Sequence, residues 1–161
     1  MPRKKASKEK APEINHNPFK SKITIQGKRL TEKQKAFLHL GLDKDTKIMF
    51  VEGPAGSTKT YAAVFAALSE LQKNDDMDLL YVRTAIESAD KGLGALPGTL
   101  EDKFNPYMAP LEDKLDELLP PTTPIADELI QSGRIQAMPI NFLRGANWIN
   151  KIIIADESQN F

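Results

Sequence analysis

The feature that most constrains the fold is an unbroken succession of three local patterns between residues 46 and 73. The run TKIMFVEG (46–53) is compact and apolar between polar residues and Gly-Pro, which predicts a buried strand. GPAGSTKT (53–60) follows as a glycine-containing turn. TYAAVFAALSELQK (60–73) then predicts a helix, because it is rich in Ala and Leu. A strand, a turn and a helix in this order favour an α/β fold.

The rest of the chain continues this alternation of apolar runs with helical segments. Strands are predicted at 22–27, 77–84, 134–140 and 151–157. Helices are predicted at 31–42, 111–119 and 124–133, and an irregular loop that leads into a helix at 85–104. Strands that alternate with helices predict a parallel sheet, so the expected class is α/β.

The turn at 53–60 comes close to the phosphate-binding pattern G-x-x-x-x-G-K-[ST], with Gly53, Lys59 and Thr60 at the required spacing. Backbone N–H groups and the dipole of the following helix attract phosphate in such a loop. Lys59 would reach the β- and γ-phosphates, and the Thr60 hydroxyl would be a ligand of Mg²⁺. The loosened pattern also arises by chance, so its place between a strand and a helix is what supports it. The predicted nucleotide-binding residues of the loop are Gly53, Pro54, Ala55, Gly56, Ser57, Thr58, Lys59 and Thr60.

Thr58 stands where the pattern has its second glycine. Glycine adopts positive φ freely and lets the backbone approach phosphate. A β-branched residue at positive φ costs about 1–2 kcal/mol, although the loop could also keep Thr58 at negative φ. Because Lys59 and Thr60 keep the charge and the metal contact, the sequence predicts a variant phosphate loop that still binds nucleotide.

A second chemistry-bearing pair, Asp156 and Glu157, ends the apolar run IIIADE. Ligands of parallel sheets bind at the edge where strands end, so these carboxylates would lie beside the phosphate loop. Asp156 could hold Mg²⁺ through water, and Glu157 could orient or deprotonate the water that attacks the γ-phosphate. Adjacent carboxylates after a strand also occur as a plain solvated turn. Together with the loop they predict Lys59 and Glu157 as catalytic residues and Thr60 and Asp156 as metal ligands.

The net charge of zero conceals an uneven distribution. Residues 1–35 carry 11 Lys and Arg against 3 Asp and Glu, a net charge of +8, and the remainder carries −8. Residues 1–20 have few apolar side chains and are predicted to be a disordered basic tail. Such a tail is either a solvated segment or an arm that steers toward nucleic acid.

Composition excludes several classes of protein. The chain has no cysteine, which excludes disulfides, thiolate metal sites and thiol catalysis. It has no run of 18 apolar residues, so no membrane span is predicted. The basic N-terminus is not followed by an apolar segment and is not a secretory signal. We therefore expect a cytoplasmic protein.

Five stretches of the chain resemble the PhoH-like family of P-loop ATPases, in the diverged form carried by bacteriophages. They are EGPAGSTKTYAAVFAAL (52–68), YVRTAIES (81–88), KGLGALPGTLEDKFNPYMAPLEDKLDELL (91–119), FLRGANW (142–148) and IIIADESQNF (152–161). The resemblance covers about residues 28–161. It implies that residues 21–161 form a P-loop NTPase domain with a helicase-like, RecA-type core. It also implies the use of ATP and Mg²⁺ in RNA or single-stranded nucleic-acid metabolism, in a bacterial or phage-infected cell.

The resemblance extends to three further residues. Helicase-related ATPases place a glutamine upstream of the phosphate loop to bind adenine, and Gln34 matches it; an exposed helical glutamine is the alternative. Arg83 lies at the end of a predicted strand, where helicase-like proteins contact nucleic acid, although it could equally pair with a carboxylate. Arg144 in FLRG is a weaker candidate for contact with phosphate or RNA.

Related ATPases also have a further strand, which inserts between the two motif-bearing strands, and a later arginine for the γ-phosphate. The sequence stops at Phe161 without them, so the resemblance predicts exposed strand edges that favour aggregation or pairing. We expect residues 1–161 alone to hydrolyse ATP poorly. Two alternatives stay open: a non-catalytic nucleotide- or RNA-binding module that needs a homo-oligomer or a complementing chain, and a small-molecule kinase.

Overall fold

In the part of the chain that the structure describes, three parallel strands form the sheet on which the protein is organised. They are β1 (Asp78–Arg83), β2 (Ile135–Pro139) and β3 (Lys151–Asp156), in the order β2–β1–β3. The computed structural model describes residues 19, 21–83, 100–140, 143 and 147–160, and the side chains of all of these except 100–107 and 160. The parallel sheet with flanking helices confirms the predicted α/β class.

Four α-helices accompany the sheet in the described residues. They are α1 (Glu32–Gly41), α2 (Lys59–Lys73), α3 (Leu100–Leu118) and α4 (Ile125–Gln131), and a short 3₁₀ turn, Ser158–Asn160, follows β3. Both α2 and α3 pack against the sheet and against each other, while α1 packs on α2. No helix in the described ranges is long and apolar enough to span a bilayer.

The central strand is buried because it has a neighbour on each side. Leu79 and Tyr81 of β1 are fully buried and join one core cluster with Val64 and Leu68 of α2 and Leu115 of α3. Side chains alternate along a strand, so residues two apart face the same layer of helices. The side of the sheet that carries Leu79 and Tyr81 is therefore the side that meets α2 and α3.

The strand register places the ends of β1 and β3 together. Arg83, the last residue of β1, lies opposite Asp156, the last residue of β3. Tyr81 lies opposite Ile154 in the same ladder. The carboxyl edge of the sheet thus carries Arg83 and Asp156 side by side, as expected for the ligand-binding edge of a parallel sheet.

The α3 helix is longer than its sequence pattern indicates. An irregular loop leading into a helix was expected at 85–104 and a separate helix at 111–119, after Pro110, but α3 is one helix that begins at Leu100 and continues through Pro110. Proline removes one helical hydrogen bond from this position. Leu111, Leu115 and Leu118 are all fully buried along one face, and this packing stabilises the helix beyond what local propensity indicates. The part of the predicted loop at 85–104 that precedes residue 100 lies outside the described residues.

Two predicted strands are wrong in the described structure. Residues 46–53 belong to no strand, and the side chains of Ile48 and Phe50 in this segment are 78% and 94% exposed. A strand needs a neighbour to accept its backbone hydrogen bonds, and no described strand lies beside this segment. Residues 22–27 likewise form no strand, although Ile23 is buried in the core and the N–H of Gln26 donates to the carbonyl of Leu118 at 2.6 Å.

Part of the predicted tail can be compared with the structure. Phe19 packs partly buried against the core cluster, and its ring lies 5.6 Å from the guanidinium carbon of Arg134. The disordered tail at 1–20 stays a prediction, and Phe19 contacts the core at its predicted end. Residues 1–18 and Lys20 lie outside the described part of the chain.

Candidate functional site

The loop at 53–60 connects the extended segment 46–52 to the first turn of α2. Gly56 and Thr58 both adopt positive φ, 76° and 61°. A β-carbon at Gly53 would meet the Ser57 Oγ at 3.0 Å, so the loop closes tightly over this residue. Thr58 is the N-cap of α2, and its side chain makes no capping hydrogen bond to the helix. The first N–H groups of α2 therefore keep the capacity to bind an anion.

Hydrogen bonds hold the side chain of Lys59 against the loop. Its ammonium donates to the carbonyls of Gly53 at 2.8 Å and Pro54 at 3.0 Å, and to the Ser57 hydroxyl at 3.4 Å. These bonds bring the cation to the loop that leads into the N-terminus of α2. A lysine ammonium beside a helix N-terminus is an arrangement that can bind a polyphosphate.

Thr60 and Asp156 join the two sequence motifs, which are 96 residues apart. The Thr60 hydroxyl donates to the Asp156 Oδ1 at 3.1 Å. Hydroxyl and carboxylate oxygens are the hard ligands that Mg²⁺ prefers, so the pair fits that ion. The described residues contain no group of three or more His, Cys, Asp or Glu that could hold a metal.

The other oxygen of Asp156 accepts a hydrogen bond from the Tyr81 hydroxyl. Tyr81 is fully buried in β1. Burial is the largest cause that raises the pKa of Tyr81 far above its ordinary value. The hydrogen bond to Asp156 and the negative charge of that carboxylate raise it further. Sequence reasoning missed Tyr81. The available signal was a phenol within an apolar strand, because a buried Tyr hydroxyl usually needs a partner.

Glu157 leaves the sheet directly after Asp156. Its φ of 54° lies in the left-handed region, which glutamate rarely adopts. This turns the chain out of β3, and Glu157 lines a cavity together with the phosphate loop. The Gln159 amide donates to the Glu157 carboxylate and helps to orient it.

The cavity beside the loop has a volume of about 300 Å³ and is lined by residues 55–61, Lys114, Glu117 and Glu157. Lys114 and Glu117 come from α3, and both are half-buried. Glu117 accepts hydrogen bonds from Lys28 at 2.8 Å and from Lys114 at 3.3 Å. The pKa of Glu117 is lowered, and the hydrogen bond from Lys28 is the largest cause.

Gln34, the expected adenine contact, lies against the phosphate loop. Its Oε1 accepts from the Thr31 N–H at 2.8 Å, as the third residue of a capping box at the start of α1. Its Nε2 donates to the Thr58 Oγ1 at 2.7 Å, and the Thr58 hydroxyl donates to the Ser57 carbonyl at 2.7 Å. The carboxamide is therefore bonded to the residue that departs from the usual loop pattern.

Of the two arginines predicted to contact nucleic acid, the structure describes Arg83 but not Arg144. Arg83 is half-buried and lies in register with Asp156, at the same edge of the sheet as the loop. Arg144 lies outside the described residues. The structure thus brings Gln34, the loop, Asp156, Glu157 and Arg83 to one side of the molecule.

Comparison with known proteins gives a consistent result. A family model described as "PhoH-like protein" matches residues 25–161. The PhoH-like protein of Mycobacterium tuberculosis (strain H37Rv) is 36% identical over 137 residues, which cover 85% of this chain and 37% of that protein. The PhoH-like protein of Bacillus subtilis is 36% identical over 117 residues, or 73% of this chain and 36% of that protein. Protein PhoH of Escherichia coli K12 is 32% identical over 114 residues, which cover 71% of this chain and 32% of that protein. The chain spans about a third of the length of these curated relatives.

Proposed function

The chain belongs to the PhoH-like family of P-loop ATPases, and on this premise we propose that it binds ATP with Mg²⁺ and hydrolyses it. The observation that carries the proposal is the 3.1 Å hydrogen bond from Thr60 to Asp156. It joins the end of the phosphate loop to the carboxylate that ends β3. A hydroxyl and a carboxylate so placed beside a phosphate loop are the two protein groups that hold Mg²⁺ in P-loop NTPases.

The loop and Lys59 would bind the triphosphate. The α2 N-terminus supplies N–H donors, and the Lys59 ammonium exchanges its bonds to the carbonyls of Gly53 and Pro54 for bonds to phosphate oxygens. Thr60 and Asp156 would hold Mg²⁺, which neutralises charge on the β- and γ-phosphates when bound. Gln34 would reach adenine by turning its amide away from Thr58.

Glu157 is the proposed general base. Its carboxylate would accept a hydrogen bond from a water molecule in the cavity and take its proton as the oxygen attacks the γ-phosphorus. The bond between that phosphorus and the bridging oxygen breaks, and ADP and inorganic phosphate leave. Lys59 would balance the charge that develops on the oxygens during this transfer.

Binding of a fluorescent ATP analogue in the presence of Mg²⁺ tests the site. Lys59→Ala should weaken binding about 10- to 100-fold, because charge-assisted hydrogen bonds to phosphate are lost. Lys73→Ala is the matched control, since Lys73 lies at the far end of the same helix, where its ammonium pairs with Glu70 at 3.4 Å. Equal affinities of wild type and Lys59→Ala would show that the site is misassigned.

Hydrolysis is tested separately. Glu157→Gln should keep the affinity for ATP within about twofold and lower turnover at least about 100-fold, in the range of general-base catalysis. Phosphate release measured under saturating ATP separates the two effects. Turnover that survives Glu157→Gln would remove Glu157 from the mechanism while leaving nucleotide binding intact.

A link to RNA or single-stranded nucleic acid is the finer part of the proposal. Arg83 ends β1 beside Asp156, where a bound strand would lie next to the nucleotide. Single-stranded RNA should stimulate ATP turnover, and Arg83→Ala should remove the stimulation but not the basal rate. A stimulation that Arg83→Ala leaves unchanged would place the RNA contact elsewhere.

One observation favours a second candidate, a nucleotide-binding module that hydrolyses ATP only with a partner chain. In the described residues the segment that precedes the loop joins no strand, and Ile48 and Phe50 are exposed. A loop whose preceding segment pairs with no described strand is positioned less rigidly against Asp156, because it is held only on its C-terminal side and by the hydrogen bond from Gln34 to Thr58. Under this proposal the wild type binds ATP but turns over no faster than Glu157→Gln, and sedimentation in the presence of ATP tests for self-association.

A further inference from the structure

A phenol from the buried centre of the sheet reaches the proposed metal site. Tyr81 lies in the central strand β1, fully buried, and belongs to the core cluster packed under α2 and α3. It lies opposite Ile154, two residues before Asp156 on β3. Diagonal neighbours on one face of a sheet are within reach of an aromatic side chain. The ring therefore extends along the ladder, and its hydroxyl meets the Asp156 carboxylate.

The two oxygens of Asp156 are divided between two elements. Oδ1 accepts from Thr60 at the start of α2, and Oδ2 accepts from Tyr81 on β1. A carboxylate bound by one donor can still rotate about its terminal bond, whereas donors on both oxygens fix its plane. An ionised carboxylate has about four lone-pair sites, so acceptor capacity remains for a metal ion or its bound water.

We propose that Tyr81 is a positioning residue, which fixes the plane of the Asp156 carboxylate and thereby strengthens Mg²⁺ binding in the nucleotide complex. The inference rests on the proposed function, because it concerns the metal of that site. It goes further by assigning a residue of the hydrophobic core to the metal site. Hydrogen bonds from neighbouring side chains to a metal ligand tune metal affinity in other proteins.

A purely structural role makes a different prediction. If Asp156 only satisfies the buried hydroxyl, removal of the hydroxyl changes stability and leaves the metal dependence of the nucleotide complex unchanged. Tyr81→Phe is the sharp variant, because the ring stays in the core and only the hydroxyl is lost. Ser69→Ala is the matched control: Ser69 is also buried, on α2, and its hydroxyl donates to the Phe65 carbonyl at 2.8 Å.

The experiment titrates Mg²⁺ into the full chain with a non-hydrolysable fluorescent ATP analogue, and repeats the titration with Mn²⁺ detected by electron paramagnetic resonance. Tyr81→Phe should raise the metal concentration for half-saturation about 10- to 100-fold, by loss of one hydrogen bond to a charged metal ligand. Its affinity for the analogue in EDTA should stay within about twofold of wild type. Ser69→Ala should change neither quantity.

A double-mutant cycle with Asp156→Asn keeps the inference falsifiable even if Tyr81→Phe loses stability. In the Asp156→Asn background, adding Tyr81→Phe should not alter the metal titration further. An unchanged metal titration for Tyr81→Phe alone would overturn the inference and leave the proposed function standing. A wild type that binds the analogue equally with and without metal, or not at all, would overturn both.

Discussion

The Nε2 of Gln34 donates a 2.7 Å hydrogen bond to the Oγ1 of Thr58, and this bond ties α1 to the phosphate loop. Thr58 holds φ at 61°, a conformation that costs a β-branched residue about 1–2 kcal/mol. Glycine in its place would avoid the strain but could not accept the bond from Gln34. Thr58 therefore has a strained backbone conformation, but its side chain provides a contact between α1 and the loop.

Gln34 and Thr58 should therefore be energetically coupled. In a double-mutant cycle of Gln34→Ala and Thr58→Gly, measured by urea unfolding without nucleotide, we expect a coupling energy of about 0.5–1.5 kcal/mol. The cycle subtracts the relief of backbone strain, which Thr58→Gly shows alone. A parallel cycle of Thr31→Ala with Thr58→Gly is the control, because Thr31 caps α1 without contacting Thr58. Equal coupling in both cycles would show that the effect belongs to the helix cap.

Elements with strong local patterns were predicted almost to the residue. The helix expected at 60–73 is α2, Lys59–Lys73, and the strand expected at 77–84 is β1, Asp78–Arg83. The strand predicted at 46–53 was wrong, because an apolar pattern indicates only a preference for burial. It does not indicate whether a neighbouring strand is available for pairing. Burial depends on the neighbours that a chain finds, which local sequence does not encode.

The candidate site was predictable where it follows from topology. Motifs at the ends of parallel strands and at the start of the following helix meet at one edge, so Thr60 was expected near Asp156. Lys114 and Glu117 were missed because helical periodicity identifies the apolar face of α3 but not which polar residues lie at its border with α2. Tyr81 was missed because a tyrosine within an apolar strand is predicted to be a core packing residue.

Lowering the pH should weaken the contact between Glu117 and the segment before α1. The hydrogen bond from Lys28 is the main cause that holds the pKa of Glu117 below its ordinary value of 4.5. A lowered folded-state pKa stabilises the fold above the ordinary pKa, and this contribution is lost as pH falls through the folded-state value. Lys28→Ala should therefore raise the pKa of Glu117 in an NMR titration of its side-chain carboxyl carbon. Lys73→Ala should leave it unchanged, and the same result for Lys28→Ala would contradict the ion pair.

The exposed segment before the phosphate loop should bind hydrophobic dyes. Ile48 and Phe50 are exposed close together in sequence, which is uncommon for large apolar side chains. Phe50→Ser should lower the fluorescence of bound anilinonaphthalene sulfonate, and it should change the free energy of unfolding by less than about 0.5 kcal/mol. Leu68→Ala is the contrast: Leu68 is fully buried, and its truncation should cost about 2–5 kcal/mol. A large loss of stability in Phe50→Ser would mean that Phe50 is covered in solution.

Arg134 should stabilise the C-terminal end of α2 through directed hydrogen bonds to backbone carbonyls. One of its terminal nitrogens donates to the carbonyls of Asn74 at 2.9 Å, Met77 at 2.8 Å and Leu71 at 3.3 Å. These carbonyls lie at and beyond the C-terminus of the helix, where helical partners are lacking and a cation is favourable. Lysine cannot reproduce the planar guanidinium, so Arg134→Lys should lower the free energy of unfolding by about 1–3 kcal/mol in urea. Lys73→Ala, at an exposed position in the same last turn, should cost less than about 0.5 kcal/mol. Equal costs for the two variants would show that a positive charge near the helix end suffices, without the directed hydrogen bonds of Arg134.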